Sequence, residues 1–475
     1  MTAPVTFTTL QNLKNIDAST VILGFTGSIG SGCTYISEMI PKIGLPKKFR
    51  YYKLSNTIKK ILELEGVTNP SIKQLQDKGN ELRRINQNNC LIAVLLNQID
   101  SEWNTEEDYG IIIDGIKNAG EVNALRHFPY FFLFSVHAIR EIRCERVISA
   151  RRFQNETEFN QADLRDQFEE YEYGQQVTRC SYLSDVVILN DSKIPSAAKA
   201  AKETFIRNIY NRYIKLIEDL HGSTKSPDST PTINELCMTI AYALSKSSSC
   251  LKRKVGCVII DVDLTGNSSV SVAGKPHLFH PFIISSGYNE VPLGSYPCIY
   301  HPSYEKCYRD HLQEEYAQTL QYCPACGRKS KIDVKCPVCN HKYTKFIKTC
   351  EECHREIDFI FNCTGCGKNV FDFYIPGSKG ALGKLLGMCR ALHAEETALL
   401  KLTKTYGKTS ENLVLYSTTQ PCNLCSNKIV LSGIKKVVYS EPYSMKEADE
   451  ILKSDNVDIT RFEGVKSSAF FRLYQ

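Results

Sequence analysis

No apolar run in the 475 residues approaches the roughly 18 needed to cross a bilayer, and the greasiest stretch, residues 128–136, is interrupted by Pro129. The amino terminus, MTAPVTFTTLQNLKN, shows no charged-then-apolar leader. An excess of one charge is missing too: a net charge of +6 suits anionic small molecules and is too weak to require nucleic acid. With 42% apolar and 23% charged residues, wholesale disorder and a fibrous repeat are excluded. The expectation is a cytoplasmic globular protein with no membrane partner. At about 150 residues per domain, its length predicts two to four domains.

A reducing cytoplasm changes how the 20 cysteines are read. Eight form four Cys-x-x-Cys pairs between Cys323 and Cys366, Cys422 and Cys425 form another, and the rest are scattered singly. Clustered pairs in a reducing compartment point to metal before disulfide.

Residues 20–220 alternate short apolar runs (21–23, 111–113, 131–134, 186–189) with longer stretches of helical period, ending in a helix from about 197 to 220. That alternation predicts an α/β domain, a parallel sheet covered by helices, over residues 1–221. The polar, proline-punctuated stretch 222–231 reads as a linker. A second α/β/α domain follows over 232–475. Its expected elements are a helix through Ile233, Leu236, Ile240 and Leu244, strands 255–261 and 282–286, then from His393 helix, strand 413–417, helix 422–431 and strand 436–439. Residues 318–370 form an insertion in it.

His393-Ala394-Glu395 is followed, 26 residues after Glu395, by Pro421-Cys422-Asn423-Leu424-Cys425. The pair resembles the His-x-Glu, Pro-Cys-x-x-Cys signature of zinc deaminases that act on nucleobases. If a helix begins after Pro421, Cys422 and Cys425 share one face, and His393 must open a neighbouring helix to meet them. Three ligands leave a fourth position for water, whose pKa zinc lowers to about 7. Glu395, not itself a ligand, is the expected catalytic proton carrier. Upstream, Ser249 to Gly256 and the segment Gly287-Tyr288-Asn289-Glu290 resemble the deoxycytidylate deaminases. That resemblance gives Asn289 a bond to the sugar and base region. Lys252, Arg253 and Lys254 are candidates for the substrate phosphates, and a solvated basic turn is the competing reading. Gln420 stands where many such deaminases have glutamate.

Near the start, Gly27-Ser28-Ile29-Gly30-Ser31-Gly32-Cys33-Thr34 follows an apolar strand and opens a predicted helix that ends before Pro41. A phosphate-cradling loop reads Gly-x-x-x-x-Gly-Lys-Ser/Thr, and here Cys33 holds the lysine's place. Gly27, Gly30 and Gly32 can still aim backbone N–H groups at an anion. Thr34 and the strand-ending Asp114 are candidates to hold Mg2+, but the cation that reaches a transferred phosphoryl group is lost. With Gly79 to Arg83, Gly120-Glu121-Val122 and Ser184 to Asn190, the domain resembles nucleoside monophosphate and dephospho-coenzyme A kinases. The expectation is a nucleotide-binding, P-loop kinase-like domain, with a regulatory nucleotide rather than phosphoryl transfer.

Cys323 and Cys326 precede Cys336 and Cys339 by nine intervening residues, and Cys350, Cys353, Cys363 and Cys366 repeat that geometry 27 positions later. Two knuckles close one tetrahedral site, so the eight thiolates predict two structural Zn2+ in tandem zinc ribbons, in consecutive or interleaved pairing. Cys298, His301, Cys307 and Cys389 are spaced too irregularly to prefer a further metal over packing.

Together, a kinase-like domain with a degenerate loop and a deoxycytidylate-type deaminase resemble the bacterial anti-phage dCTP deaminases. The resemblance implies hydrolysis of dCTP, and also dCMP, to deoxyuridine nucleotides, which depletes dCTP in antiviral defence. It implies catalytic Glu395 and a catalytic zinc on His393, Cys422 and Cys425. The alternatives are a housekeeping dCMP deaminase supplying dUMP for thymidylate synthesis and a nucleic-acid cytidine deaminase that uses the ribbons. The fused first domain favours defence, since plain biosynthesis needs only the second. Oligomeric state stays open, a homo-oligomer included.

Overall fold

A computed structural model describes residues 15–103, 108–167, 171–191, 199–220, 230–262, 282–292, 294–303, 305–308, 389–405, 412–443 and 446–474, single residues 13, 169 and 311, and short strands at 271–272, 275–276, 334–335 and 342–343. In chain order the strands are β1 (Ile22–Gly27), β2 (Lys48–Lys53), β3 (Tyr109–Asp114), β4 (Phe131–His137), β5 (Val186–Leu189), β6 (Gly256–Asp261), β7 (Ser271–Val272), β8 (Lys275–Pro276), β9 (Phe282–Tyr288), β10 (Val334–Lys335), β11 (Lys342–Tyr343), β12 (Leu413–Thr419), β13 (Lys436–Glu441), β14 (Asp458–Arg461) and β15 (Gly464–Val465). The chain divides into two compact units, 1–243 with 258–284 and 409–475, and 244–257 with 285–408.

The four apolar runs of the first 220 residues are β1, β3, β4 and β5. They lie in a six-stranded sheet of order β15-β5-β4-β1-β3-β2. Ile22 faces Ile111 on one side and Phe131 on the other, in parallel register. Because successive side chains point to opposite faces, Ile22, Ile111, Ile113 and Leu133 enter one apolar cluster while Leu23, Phe25, Ile112 and Phe134 enter another. Helices cover both faces, so these strands read as unbroken apolar runs rather than alternating ones. The closing helix runs over Lys199–Asp219, with a π-helical turn at Tyr210–Ile214.

Two strands of this sheet had no apolar signal. β2, with the sequence KFRYYK, pairs with β3 at the edge, where lysine and arginine are tolerated and discourage further pairing. At the opposite edge β15 pairs antiparallel with β5, Val465 beside Val186. Residues 464–474 thus add a strand, and the helix Ser467–Leu473, to the sheet formed by the first domain. Glu235, 1% exposed in the helix Ile233–Ser245, anchors them: its carboxylate accepts from Val465 N–H at 2.8 Å and Tyr474 O–H at 3.0 Å. Phe470 and Leu473 are buried, which at about 1.5–3 kcal/mol per side chain stabilises the arrangement.

The second sheet has the order β14-β13-β12-β6-β9, with β12, β13 and β14 parallel. The predicted helix starts and strands of this half are in place: helix Ala394–Thr405, β12, helix Asn423–Leu431, β13. Helix Lys446–Ser454 and β14 extend the alternation beyond what the periodicity suggested. Of the expected ribbon segment only β10 and β11 are described, an antiparallel pair flanking Cys336 and Cys339 in sequence. Cys323, Cys326, Cys336, Cys339, Cys350, Cys353, Cys363 and Cys366 lie outside the described residues, as does most of the linker. No helix among the described residues is long and apolar enough to cross a membrane.

Candidate active site and phosphate loop

His393 and Cys422 each stand at the mouth of a helix. The His393 carbonyl accepts from Thr397 N–H at 2.9 Å, the first turn of Ala394–Thr405, and the Cys422 carbonyl accepts from Ser426 N–H at 2.8 Å, the first turn of Asn423–Leu431. Cys422 has extended backbone (φ −78°, ψ 171°), as a helix-opening residue does, and Cys425 follows one turn on. The ligand atoms of His393, Cys422 and Cys425 lie within 4.8 Å of one another, and both thiols are buried. Among the described residues this is the group of histidine, cysteine and acidic side chains close enough to hold a metal. One imidazole and two sulfurs are a zinc donor set that leaves a coordination position open, so the residues fit the ion.

Glu395 lies in the first turn of the His393 helix and is 4% exposed. Its charge is felt by Cys257 on β6, whose thiol is pushed well up, by burial first and by Glu395 second. Cys257 is not among the side chains whose ligand atoms converge.

Gly287 on β9 explains how that helix comes so near the strand. A Cβ there would stand 2.5 Å from the Ala394 carbonyl oxygen and 2.6 Å from Ala398 N, so backbone packs on backbone and only glycine fits. Next to it, Asn289 is locked: its side-chain oxygen accepts from Val255 N–H at 2.5 Å and its own N–H donates to the Val255 carbonyl at 3.2 Å. Glu290 then bridges to Leu392, the residue before His393. Lys252 and Lys254 are exposed and Arg253 half-buried in the turn before β6. Gln420, in the position of the usual glutamate, is structural here: its side chain donates to Asp449 at 2.6 Å and accepts from Tyr443 N–H at 3.0 Å.

In the first domain the expected helix after the glycine loop spans Cys33–Met39. Gly30 and Gly32 take φ of 82° and 88°, conformations that favour glycine. The loop lines a cavity of about 650 Å3 together with Lys53, Arg83, Asp114 and Lys117. Cys33 turns inward, and its thiol donates to Asp114 at 3.4 Å. Burial, then the Asp114 charge, pushes that thiol well up. Asp114 also accepts from Tyr51 O–H at 2.9 Å.

Lys53 at the end of β2 was missed in the sequence. Its ammonium is 3.5 Å from Thr34 Oγ1 and 3.9 Å from Asp114, the two groups from which magnesium ligation was expected. Its ammonium thus places a cation beside the two groups expected to hold magnesium. The segments singled out at 79–83 and 120–122 meet as a buried pair, Arg83 donating to Glu121 at 2.8 Å.

Residues 313–441 match the family of the cytidine and deoxycytidylate deaminase zinc-binding region. The chain is 24% identical over 362 residues to a deoxycytidylate deaminase of Schizosaccharomyces pombe, an alignment covering 76% of this chain and 79% of that one. It is 24% identical over 189 residues to a UPF0200 protein of Methanococcus maripaludis, covering 39% of this chain and 95% of the other. A dCMP deaminase from cyanophage S-TIM5, solved with dCMP and dUMP, aligns with 50% of this chain and 100% of its own at 18% identity and a TM-score of 0.23. The chain thus carries a cytidine deaminase-like zinc region and a domain similar to the UPF0200 proteins. At 362 residues, the S. pombe alignment is longer than the second domain.

Proposed function

We propose that the protein is a zinc-dependent hydrolase that removes the amino group of deoxycytidine nucleotides. The observation that carries this reading is the convergence of His393, Cys422 and Cys425, with Glu395 buried two residues from the first. Zinc held there supplies the Lewis acidity that makes water a nucleophile near neutral pH. Glu395 accepts one proton from the attacking water and delivers it to N3 of cytosine as the C4–O bond forms, then takes the second proton, from the hydroxyl now on C4, and passes it to the amino group as the C4–N bond breaks. Water and cytosine become uracil and ammonia. Asn289, its oxygen held by Val255, offers its amide N–H groups to the nucleoside, and Lys252 and Arg253 serve the phosphates.

The resemblance to anti-phage enzymes supports dCTP as substrate, with dCMP as a second, and dCTP depletion as the purpose. The S. pombe relative's name favours the dCMP reading. Incubating pure protein with dCTP, dCMP, deoxycytidine, CTP and single-stranded DNA, and resolving the products by chromatography, decides among them. Uridine formed only in DNA would overturn the nucleotide reading.

The first domain, in this proposal, binds a regulatory nucleotide without transferring its phosphate. Gly27, Gly30 and Gly32 present backbone N–H groups and Lys53, beside Thr34 and Asp114, supplies the cation that Cys33 cannot. Gly32→Val in the full chain should abolish any nucleotide response of the deaminase while leaving basal turnover. An unchanged response removes the idea.

A further inference from the structure

A second, smaller cavity of about 110 Å3 lies against the glycine loop at the ends of β4, β13 and β14, sharing Ser28 and Ser31 with the larger cavity but not Glu441, Arg461 or Lys466. Ser28 and Ser31 of the loop line it, and so do Glu441, Arg461 and Lys466 from the chain's last fifty residues. Two of its polar atoms are buried without a hydrogen-bond partner: Oγ of Ser31, a residue 1% exposed, and Nε of Arg461. Buried donors left unpaired are costly and ask for an acceptor.

The charges around the cavity are unbalanced in one direction. Lys466 is 4% exposed and donates only to main-chain carbonyls, those of Tyr182 at 2.9 Å and Ser181 at 3.3 Å. Arg143, also in the lining, is already bonded to both oxygens of Asp163. Glu441 is the lining carboxylate, and it accepts from Tyr242 O–H at 2.8 Å. That leaves the Arg461 guanidinium and the Lys466 ammonium against one lining carboxylate, with Asp191 and Asp185 acting on them from outside the lining and Ser28 and Ser31 within it. An anion is the missing component.

Size narrows the class. About 110 Å3 holds a few waters' worth of volume, at roughly 30 Å3 each, which admits a tetrahedral oxyanion and excludes a nucleoside. Arginine's planar fork suits phosphoryl oxygens. We propose that Arg461, Lys466 and Ser31 form a binding site for one phosphoryl group, separate from the zinc centre and from the larger cavity on the front of the glycine loop.

Its place in the chain gives it a consequence. On one side stands the glycine loop. On the other, the Glu441 carbonyl accepts from Gln420 N–H at 2.8 Å, two residues before the zinc ligand Cys422. A phosphoryl group here would touch both the loop and the end of β13, which pairs with the strand end that leads into the helix of Cys425.

The test is a calorimetric titration of the full, zinc-loaded chain with sodium phosphate, against sodium chloride at matched ionic strength, and separately with ATP. Phosphate should bind where chloride does not, and Arg461→Gln and Lys466→Met should each weaken it roughly tenfold to a hundredfold. Arg461→Lys, which keeps the charge and guards against misfolding, should fall between. Tighter binding of ATP, lost in the same variants, would identify the group as a nucleotide's terminal phosphate; inorganic phosphate alone would identify the free ion. No phosphate binding beyond chloride overturns the site. So does binding that survives Arg461→Gln and Lys466→Met but disappears in Lys53→Met, which would put the anion on the front of the loop.

Discussion

Four side chains bear the proposed chemistry, and two of them make separable predictions. Glu395→Ala should lower ammonia release by roughly 10²- to 10⁴-fold while zinc, measured by elemental analysis, stays bound. Cys422→Ala should lose zinc and turnover together, because two ligands do not close a site. Gly287 makes a different demand, since a valine there would drive into the main chain of Ala394 and Ala398. Gly287→Val should push the His393 helix off its strand, so turnover falls along with zinc content although no ligand or proton carrier was changed. At this scale the sequence was largely legible. His393, Glu395, Cys422 and Cys425 announce themselves because metal chemistry restricts residue type and spacing. Gly287 does not, since a glycine closing a strand looks like any turn until a helix is seen lying against it.

Among elements, the short β15 strand is fixed by polar groups more than by its length. Glu235→Ala would leave Val465 N–H and Tyr474 O–H without their acceptor, at a cost of about 1–3 kcal/mol for each group that remains buried. Thermal or urea unfolding should register that loss in the first sheet. The neighbouring Lys466 adds a pH dependence. Burial, the largest cause, lowers its pKa from 10.5 to about 8. Between those values the unfolded chain holds a proton that the folded chain has released, so this group makes stability rise with pH across that window. Lys466→Met should flatten the slope between about pH 8 and 10.5, read from urea midpoints at each pH. Neither β15 nor β2 could be found by periodicity. Two residues carry no period, and KFRYYK is too charged to resemble a buried strand, because an edge has solvent on one side.

For the whole molecule, metal content is the direct measure. With the catalytic site and both expected ribbons filled, the purified chain should carry about three zinc ions, at four protein ligands for each closed structural site. A graded chelator should remove the catalytic zinc first, since its open position gives access, and deaminase activity should disappear with that first ion. A single zinc per chain would remove the ribbons from the proposal. The carboxy-terminal strand also bears on truncation. A fragment beginning at residue 232 would carry β15 and the helix Ser467–Leu473 without the sheet they complete, so experiments that cut at the linker expose Phe470 and Leu473.

The sequence by itself determined the order of the parallel strands' apolar runs, the helix that opens at the glycine loop, and the four residues of the proposed zinc centre. Each of these follows from a local rule of period, turn chemistry or ligand spacing. Only the tertiary structure decided that Lys53 lies beside Thr34 and Asp114, that Arg83 pairs with Glu121, and that the chain's last strand completes the sheet of its first domain. Those arrangements join residues tens to hundreds of positions apart, and no local period or spacing encodes which distant partner a buried charge or an unpaired edge will meet.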